Sequence, residues 1–440
     1  MKGIQRADET LAKILPPVQP CTGLIYVPSQ YSLSFDHNGK QYVYNTLTWQ
    51  CLEAELPARC MAGEGYDELI KRLFLVPEGK DECGFYNSIS FLLRAYSRKK
   101  GRKGFTILPS LACNARCTYC YEEGMEPVTM TPETVEQTIR YIIDTHRGDS
   151  VSLHWFGGEP LLRPDIIDRI CEGVREAGLN YRSTMVSNGS LITPEIIGKM
   201  KGAWHLDKIQ ISMDGAESDY IARKCYYHYQ DDYHRVMGSI DALAEAGIWV
   251  SIRCNVDEEN WDRLPVFLED AKRLITHKEK VKLYFAPLYG ERIGENDLPI
   301  WKKVTAAKPM IEAAGFSHTP MFADKKGYRA NHCMADGSGV VIGPDGSLYP
   351  CEHCPPGSRF GDIWHGVTDE KARYEFCRTD RTREKCRTCM FLPDCTSFAS
   401  CPVQDYHCRE VREMMKIAFL RRMIDNAEQG INVMEEVPSC

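Results

Sequence analysis

The stretch Cys113-Asn-Ala-Arg-Cys117-Thr-Tyr-Cys120 organises this chain: three cysteines at offsets of four and three, with the aromatic Tyr119 in the last gap. A cubane 4Fe-4S cluster has four irons, so three thiolates leave one iron without a protein ligand. No further cysteine follows until Cys171. Ferredoxin runs supply a fourth thiolate, and structural zinc sites fill all four positions. A three-cysteine loop instead invites a ligand from outside the protein.

Outward from this loop, strands and helices alternate. Short apolar runs at residues 105–108, 151–156, 182–186, 208–212, 249–255 and 282–285 predict strands. Segments 132–146, 165–177, 194–200, 235–246 and 262–275 predict helices, the first capped by Thr131. Such alternation demands a parallel sheet with helical crossovers, an α/β fold of six βα units rather than a closed eight-stranded barrel. Functional groups then belong at the C-terminal ends of the strands. The sequence places Gly157-Gly-Glu159-Pro160, Ser187-Asn-Gly189, Ser212-Met-Asp214-Gly215 and Arg253-Cys-Asn255 there. Two glycines let backbone approach a ligand closely, and a carboxylate accepts from an ammonium group.

The full chain of 440 residues exceeds one ordinary core and predicts roughly two to four domains. A net charge of -7 argues against a dedicated nucleic-acid binder. No apolar run approaches the ~20 residues of a membrane span, and the N-terminus lacks a continuous apolar signal core, so a cytoplasmic protein is expected. Twenty cysteines in a reducing compartment point to metal rather than disulfides. Three lie in the loop and nine between Cys333 and Cys408. The scattered Cys21, Cys51, Cys60, Cys83, Cys171, Cys225 and Cys254 read as small buried hydrophobes.

CxxxCxxC with an aromatic in the last gap resembles the signature of the radical S-adenosylmethionine (SAM) enzymes. The resemblance implies a partial (β/α)6 TIM-like barrel whose open iron chelates the amino and carboxylate groups of SAM. An injected electron then breaks a C–S bond and gives a 5'-deoxyadenosyl radical, so the cofactor carries the hard chemistry. It also implies site residues. Cys113, Cys117 and Cys120 hold the cluster with Tyr119 beside them, and Gly157, Gly158 and Glu159 meet the SAM amino group. Ser187, Asn188, Ser212, Asp214, Arg253 and Asn255 meet the ribose hydroxyls and the SAM carboxylate.

The second cysteine group surrounds a hairpin turn at Pro344-Asp-Gly346. With Cys386-x2-Cys389-x5-Cys395 it resembles the SPASM extension of radical SAM maturases, the sactipeptide, ranthipeptide and anaerobic sulfatase-maturating enzymes among them. The resemblance implies one auxiliary 4Fe-4S cluster on Cys386, Cys389, Cys395 and Cys408, and another on Cys333, Cys351 and Cys401. Cys354 is the nearest fourth ligand of the latter, with Cys377 or an open iron as alternatives. Two features depart from the pattern: Cys395 to Cys401 is longer than the usual CxxxC, and Cys408 comes sooner than usual. A pair of zinc ribbons is the competing reading, since CxxC pairs also bind zinc. Sulfatase-maturing relatives carry an aspartate after the cysteine that matches Cys351. This implies Glu352 as a catalytic proton acceptor, against the plainer role of accepting hydrogen bonds near the hairpin.

Before the barrel, residues 24–27, 31–35 and 41–44 predict strands around the turn His37-Asn-Gly-Lys40, and residues 46–55 and 66–74 predict helices. This order resembles a leader-peptide recognition module, with a small packing domain as the alternative. The basic run Ser97-Arg-Lys-Lys-Gly-Arg-Lys-Gly104 reads as a solvated linker. The expected division is an α+β module at 1–104, the barrel at 105–290, a connector carrying one helix at 291–330, a cysteine-rich domain at 331–428 and a tail at 429–440. The whole implies an oxidoreductase that takes a hydrogen from a ribosomally made precursor peptide with a leader and forms a thioether or carbon-carbon crosslink. Its expected electron donor is a flavodoxin or ferredoxin-type reductant, and neither nucleic acid nor membrane is an expected partner. Formylglycine formation in a sulfatase is the alternative enzyme. A non-catalytic iron-sulfur electron carrier is the alternative of another class.

Overall fold

The structure is a computed structural model that describes residues 3–5, 18–98, 104–146, 148, 150–227, 232–288, 298–318, 339–353, 356–377, 384–393 and 408–429. Its first strands are β1 (Gly3–Gln5), β2 (Ile25–Pro28), β3 (Ser32–His37), β4 (Lys40–Asn45), β5 (Gln50–Glu53), β6 (Cys60–Met61) and β7 (Leu75–Pro77). They form two small antiparallel sheets, ordered β1-β5-β4-β3 and β6-β2-β7. The β3–β4 hairpin turns on Asn38 and Gly39 at φ +50 and +73, the two positive angles that make Asn-Gly the preferred pair. The helix expected at 46–55 is absent. Cys51 packs in one core cluster and the adjacent Leu52 in another, on opposite sides of β5, and only an extended strand sends neighbours to opposite faces. The helix expected at 66–74 shortens to Asp67–Lys71, because Leu73 takes φ +63 and turns the chain into β7. A helix over Glu82–Arg98, not expected from the sequence, takes in Ser97 and Arg98 at the start of the basic run.

The barrel strands are β8 (Gly104–Ile107), β9 (Ser150–Trp155), β10 (Asn180–Ser187), β11 (Leu206–Met213), β12 (Trp249–Val256) and β13 (Val281–Pro287). All six are parallel and pair in sequence order. Helices Pro132–Thr145, Pro164–Glu176, Pro194–Lys201, Asp232–Glu245 and Leu264–Leu274 lie between them, as expected within a few residues. Thr131 caps the first by accepting from the Thr134 amide. Alternation along the strands sorts the two faces. Leu153, Trp155, Ile209, Ile211, Ile252 and Leu283 are fully buried in the core shared with the helices. His154, Thr184, Lys208, Gln210, Arg253 and Tyr284 occupy the intervening positions and face the lumen.

The segment after β13 carries two helices rather than one, Leu298–Ala306 and Lys308–Ala313, with Pro309 in the first turn of the second. The sheet then continues through β14 (Ser317–His318), β15 (Gly339–Ile342), β16 (Ser347–Tyr349), β17 (Gly361–Asp362) and β18 (Gly366–Val367). β15 pairs parallel to β8, so the far end of the chain extends the barrel sheet beyond its first strand. The hairpin expected at 344–346 is the β15–β16 connection. Finally, the helix Cys408–Glu428 returns to the N-terminal sheet, where Leu420 and Ile424 pack with Tyr31, Leu33, Tyr42 and Tyr44. Arg421 donates to the Asp36 carbonyl at 2.9 Å. No helix among the described residues is long and apolar enough to cross a membrane.

This return contact is testable. Leu420→Ala should cost about 2–5 kcal/mol, the usual range for emptying a buried leucine site. Amide exchange in β3, β4 and β5 should accelerate accordingly. Unchanged exchange there would mean that the helix rests on the sheet without stabilising it.

Candidate active site

The cysteine loop leaves the C-terminal end of β8 and is held on two sides by backbone. On one side the Gly158 amide donates to the Ser110 carbonyl at 3.2 Å, and the Glu159 amide to the Ala112 carbonyl at 2.9 Å. A Cβ on Gly158 would lie 2.3 Å from the Ala112 oxygen, and one on Gly157, at φ +108, would lie 2.5 Å from the Ser110 oxygen. The glycines therefore serve a close approach, and the partner they approach here is the cysteine loop itself. On the other side, Arg116 donates its amide to the Lys224 and Cys225 carbonyls, and Thr118 donates to the Arg223 carbonyl. Residues 223–227, at the end of a helix over Glu217–Lys224, thus form the opposite wall.

Glu159 is fully buried. Its carboxylate accepts from the Ser187 hydroxyl at 2.9 Å, the Asn188 amide at 2.8 Å and the Leu161 amide at 3.1 Å. Burial pushes its pKa up, against the pull of these donors. The Asn188 side chain donates to Asn114 Oδ1 at 2.8 Å and reaches Cys113 Sγ at 3.9 Å. The residues expected after β9 and β10 are therefore brought together behind the first cysteine.

Behind the other two cysteines sits a second network. Tyr119 donates its hydroxyl to Asp214 Oδ1, and Asn255 Nδ2 donates to the Tyr119 oxygen at 3.0 Å and to Asp214 Oδ1 at 3.3 Å. Arg253 Nε donates to Asn255 Oδ1 at 3.0 Å. Lys224, 3% exposed, places Nζ 3.3 Å from Asp214 Oδ2 and donates to the Tyr119 oxygen at 3.2 Å. Burial opposes the Lys224 charge, but Asp214, Tyr119 and Cys117 outweigh it and hold the ammonium well above its usual range. Burial raises the Cys117 thiol, and Lys224 pulls it back. Sequence reading missed Lys224, together with Asn114 and Asn260, whose side chain clamps the Asp214 and Asn255 carbonyls. The available signal was position: a helix starting just after Asp214 brings its last turn back beside the cysteine loop.

The residues fit the expected cofactors. Three half-buried thiols share one loop, and Cys113 Sγ accepts from the Ala115 amide at 3.5 Å. Beside them, Asp214 Oδ2 is buried with no hydrogen bond among the described residues, its charge met by the buried Lys224 ammonium at 3.3 Å. No three His, Cys, Asp or Glu side chains among the described residues converge as around a single ion. A cubane has a different requirement, because each thiolate binds its own iron. Cys113, Cys117 and Cys120 would hold the cluster, and the surrounding loops would hold SAM. Ser212, at the lumen end of β11, neighbours Arg253 in the sheet register.

Of the second cysteine group, Cys351, Cys386 and Cys389 are described and half-buried. Cys333, Cys354, Cys395 and Cys401 lie outside the described residues, and Cys408 opens the last helix. Cys386 and Cys389 pack against the N-terminal core beside Cys83. The scattered cysteines divide: Cys51, Cys60, Cys171 and Cys254 are buried, Cys83 is half-buried, and Cys21 and Cys225 are exposed, which corrects the expectation for those two. Cys225 sits at φ +49 at the turn that ends its helix, where the side chain is thrown outward. Glu352 lies near the mouth of the barrel. The neighbouring His353 ring is 4.7 Å from Tyr121, next to Cys120, and 6.3 Å from Phe156.

Residues 107–271 match the family model described as the Radical SAM superfamily. The AdoMet-dependent heme synthase of Methanosarcina barkeri is 28% identical over 162 residues, 37% of this chain and 45% of that protein. The PqqA peptide cyclase of Ruegeria pomeroyi is 27% identical over 305 residues, 63% of this chain and 76% of that protein. The chain thus spans less than half of the first relative's length and about three quarters of the second's. Among solved structures, native anSMEcpe with bound AdoMet superposes with a TM-score of 0.59 at 18% identity, over 74% of this chain and 99% of that one. At that identity the likeness is one of fold.

The buried pair gives a sharp expectation. Lys224→Met strands the Asp214 carboxylate without its counter-charge and should cost about 3–5 kcal/mol. Adding Asp214→Asn should recover part of that loss. Urea unfolding of the single and double variants measures the coupling, and strict additivity would mean that the two groups are independent.

Proposed function

We propose that this chain is a radical SAM enzyme that uses a 4Fe-4S cluster and S-adenosylmethionine, and that it oxidises or crosslinks a ribosomally made peptide. The observation that carries this reading is the position of residues 351–353. The hairpin after β15 brings them against Tyr121 and Phe156, the first beside the cysteine loop and the second just after β9. A second cysteine-bearing segment therefore faces the same barrel mouth as the first. A relative over 63% of this chain is a peptide cyclase by name, which supports a peptide substrate and a bond-forming outcome. The SPASM assignment of the C-terminal cysteines belongs to the same proposal, with Cys351, Cys386 and Cys389 among the ligands. So does a leader-binding role for the N-terminal sheet, whose strand β3 is the last of its sheet among the described residues, a position where an extended peptide can pair main chain to main chain.

When bound, the cluster and SAM supply one-electron C–S cleavage and a hydrogen-abstracting radical. The chain's own residues then have four tasks. Cys113, Cys117 and Cys120 hold the cluster in a loop clamped by backbone on two sides. Lys224 offers a buried positive charge, and Asp214, Asn255 and Arg253 offer oriented polar groups. The close approach of residues 157–159 fastens the start of the loop by backbone hydrogen bonds. Glu352 takes a proton at its carboxylate as the peptide product forms.

Two outcomes test this. Replacing Cys113, Cys117 and Cys120 together by alanine should abolish reductive SAM cleavage while iron bound by the C-terminal cysteines persists. Retained cleavage would overturn the assignment. Glu352→Gln keeps the shape and removes the base, so SAM cleavage should continue while peptide product falls ~100-fold. Product that keeps pace with SAM cleavage would place the proton acceptor elsewhere.

A further inference from the structure

The lumen face of the barrel holds a group of charges that the cofactor site does not use. Sheet register sets Thr184 on β10 beside Lys208 on β11, and Lys208 beside Trp249 on β12. Lys280, in the turn just before β13, places Nζ 4.6 Å from the centre of the Trp249 ring, and Lys282 places its own at 5.5 Å. Two ammonium groups thus lie over one tryptophan that is 40% exposed, and Lys208 stands beside that tryptophan in the sheet register. Among the described residues, neither Lys208 nor Lys280 has an ion-pair partner. The nearest carboxylate along β11, Asp207, points to the other face of its strand and is engaged by Arg182 at 3.1 Å. Like charges on adjacent strands repel, and cation–π contact with one indole offsets only part of that. A row of this kind is kept for an anion that visits it.

The patch is also placed for a substrate. It lies at the N-terminal ends of the strands, on the face that lines the lumen, and the SAM-facing residues lie at the other ends of the same strands. Four residues separate Lys208 from Ser212, and four separate Trp249 from Arg253. At ~3.3 Å per residue that is ~13 Å, which an extended peptide crosses in about four residues. Between the two ends the lining is polar and tied across strands. Tyr284 donates to Gln210 at 2.9 Å over the intervening β12, and His154 meets Thr184 at 2.7 Å.

Building on the peptide reading above, we propose that Lys208, Lys280 and Lys282, grouped around Trp249, bind a carboxylate-bearing segment of the substrate peptide about four residues from the position that is modified. The ammonium groups hold the acidic side chains, and the indole packs against the peptide between them. The barrel then selects an acidic peptide by charge and sets by length which residue reaches the radical site.

The test uses the reconstituted, SAM-loaded full chain and fluorescein-labelled hexaglutamate and hexaglutamine peptides, read by anisotropy. Hexaglutamate should bind and hexaglutamine should not. The double variant Lys208→Gln/Lys280→Gln should weaken hexaglutamate binding ~10-fold or more, and Lys208→Arg/Lys280→Arg should restore it. Free glutamate should displace the peptide only at far higher concentration. Equal binding of the two peptides, or hexaglutamate affinity unchanged in the glutamine variant, would overturn the proposal while leaving the peptide-modifying reading intact. Displacement by free glutamate at concentrations matching the peptide would make the patch a site for small carboxylates, and would overturn the peptide proposal at this site.

Discussion

A buried ion pair, Asp214 with Lys224, fixes the geometry on which the site depends. Two charges taken out of water are costly unless each is satisfied by the other and by further polar groups. Here Tyr119 and Asn255 complete the arrangement, and Asn260 locks the backbone that carries it. Because Tyr119 belongs to the cysteine loop, Asp214 to the end of β11 and Asn255 to β12, the pair ties three strand ends together. The loop cannot shift without uncovering a charge, so the three thiols are held in place before any cluster arrives.

The same barrel separates two chemistries by alternation alone. Ile209 and Ile211 face the helices, while Lys208, Gln210 and Ser212 face the lumen from the same strand. The apolar half closes the core, and the polar half is free to be specific. A closed eight-stranded barrel fills its interior with side chains. Among the described residues this sheet does not close, with β14 at one edge and β18 at the other.

Much of this was legible in the sequence because the signals were local and repeated. The alternation of short apolar runs with helical segments marked the barrel elements to within a few residues. Strand ends marked Glu159, Asn188, Asp214 and Asn255, which the fold does bring around the cysteine loop. What the sequence did not show are the features set by long-range packing. β5 read as helix because nothing in Gln50–Glu53 announces that Cys51 and Leu52 must serve two cores. Lys224 looked like one more basic residue at a helix end, since burial of a lysine has no local sign. The glycines at 157 and 158 read as a place of close approach, and what the sequence did not show is that the Ser110 and Ala112 carbonyls crowd them. The parallel pairing of β15 with β8 joins residues more than two hundred positions apart and has no local cue.

That pairing extends the barrel sheet into the C-terminal, cysteine-bearing part of the chain. β15 enters beside β8, so the turn that follows it must come out at the same end of the sheet as the loop that follows β8. Parallel strands give no other choice. The antiparallel β16 carries the chain back from that turn, and the segment after it sets the His353 ring against Tyr121 and Phe156. Further along, Thr46 donates to the Met390 carbonyl, and Gln30 donates to the Arg387 carbonyl at 3.3 Å. The segment bearing Cys386 and Cys389 is thus fastened to the N-terminal sheet. The final helix closes the circuit on that sheet through Leu420 and Ile424. The N-terminal part, the barrel and the cysteine-rich part therefore share cores and hydrogen bonds. The barrel mouth thereby keeps a position relative to the N-terminal sheet that is set by packing through the C-terminal part.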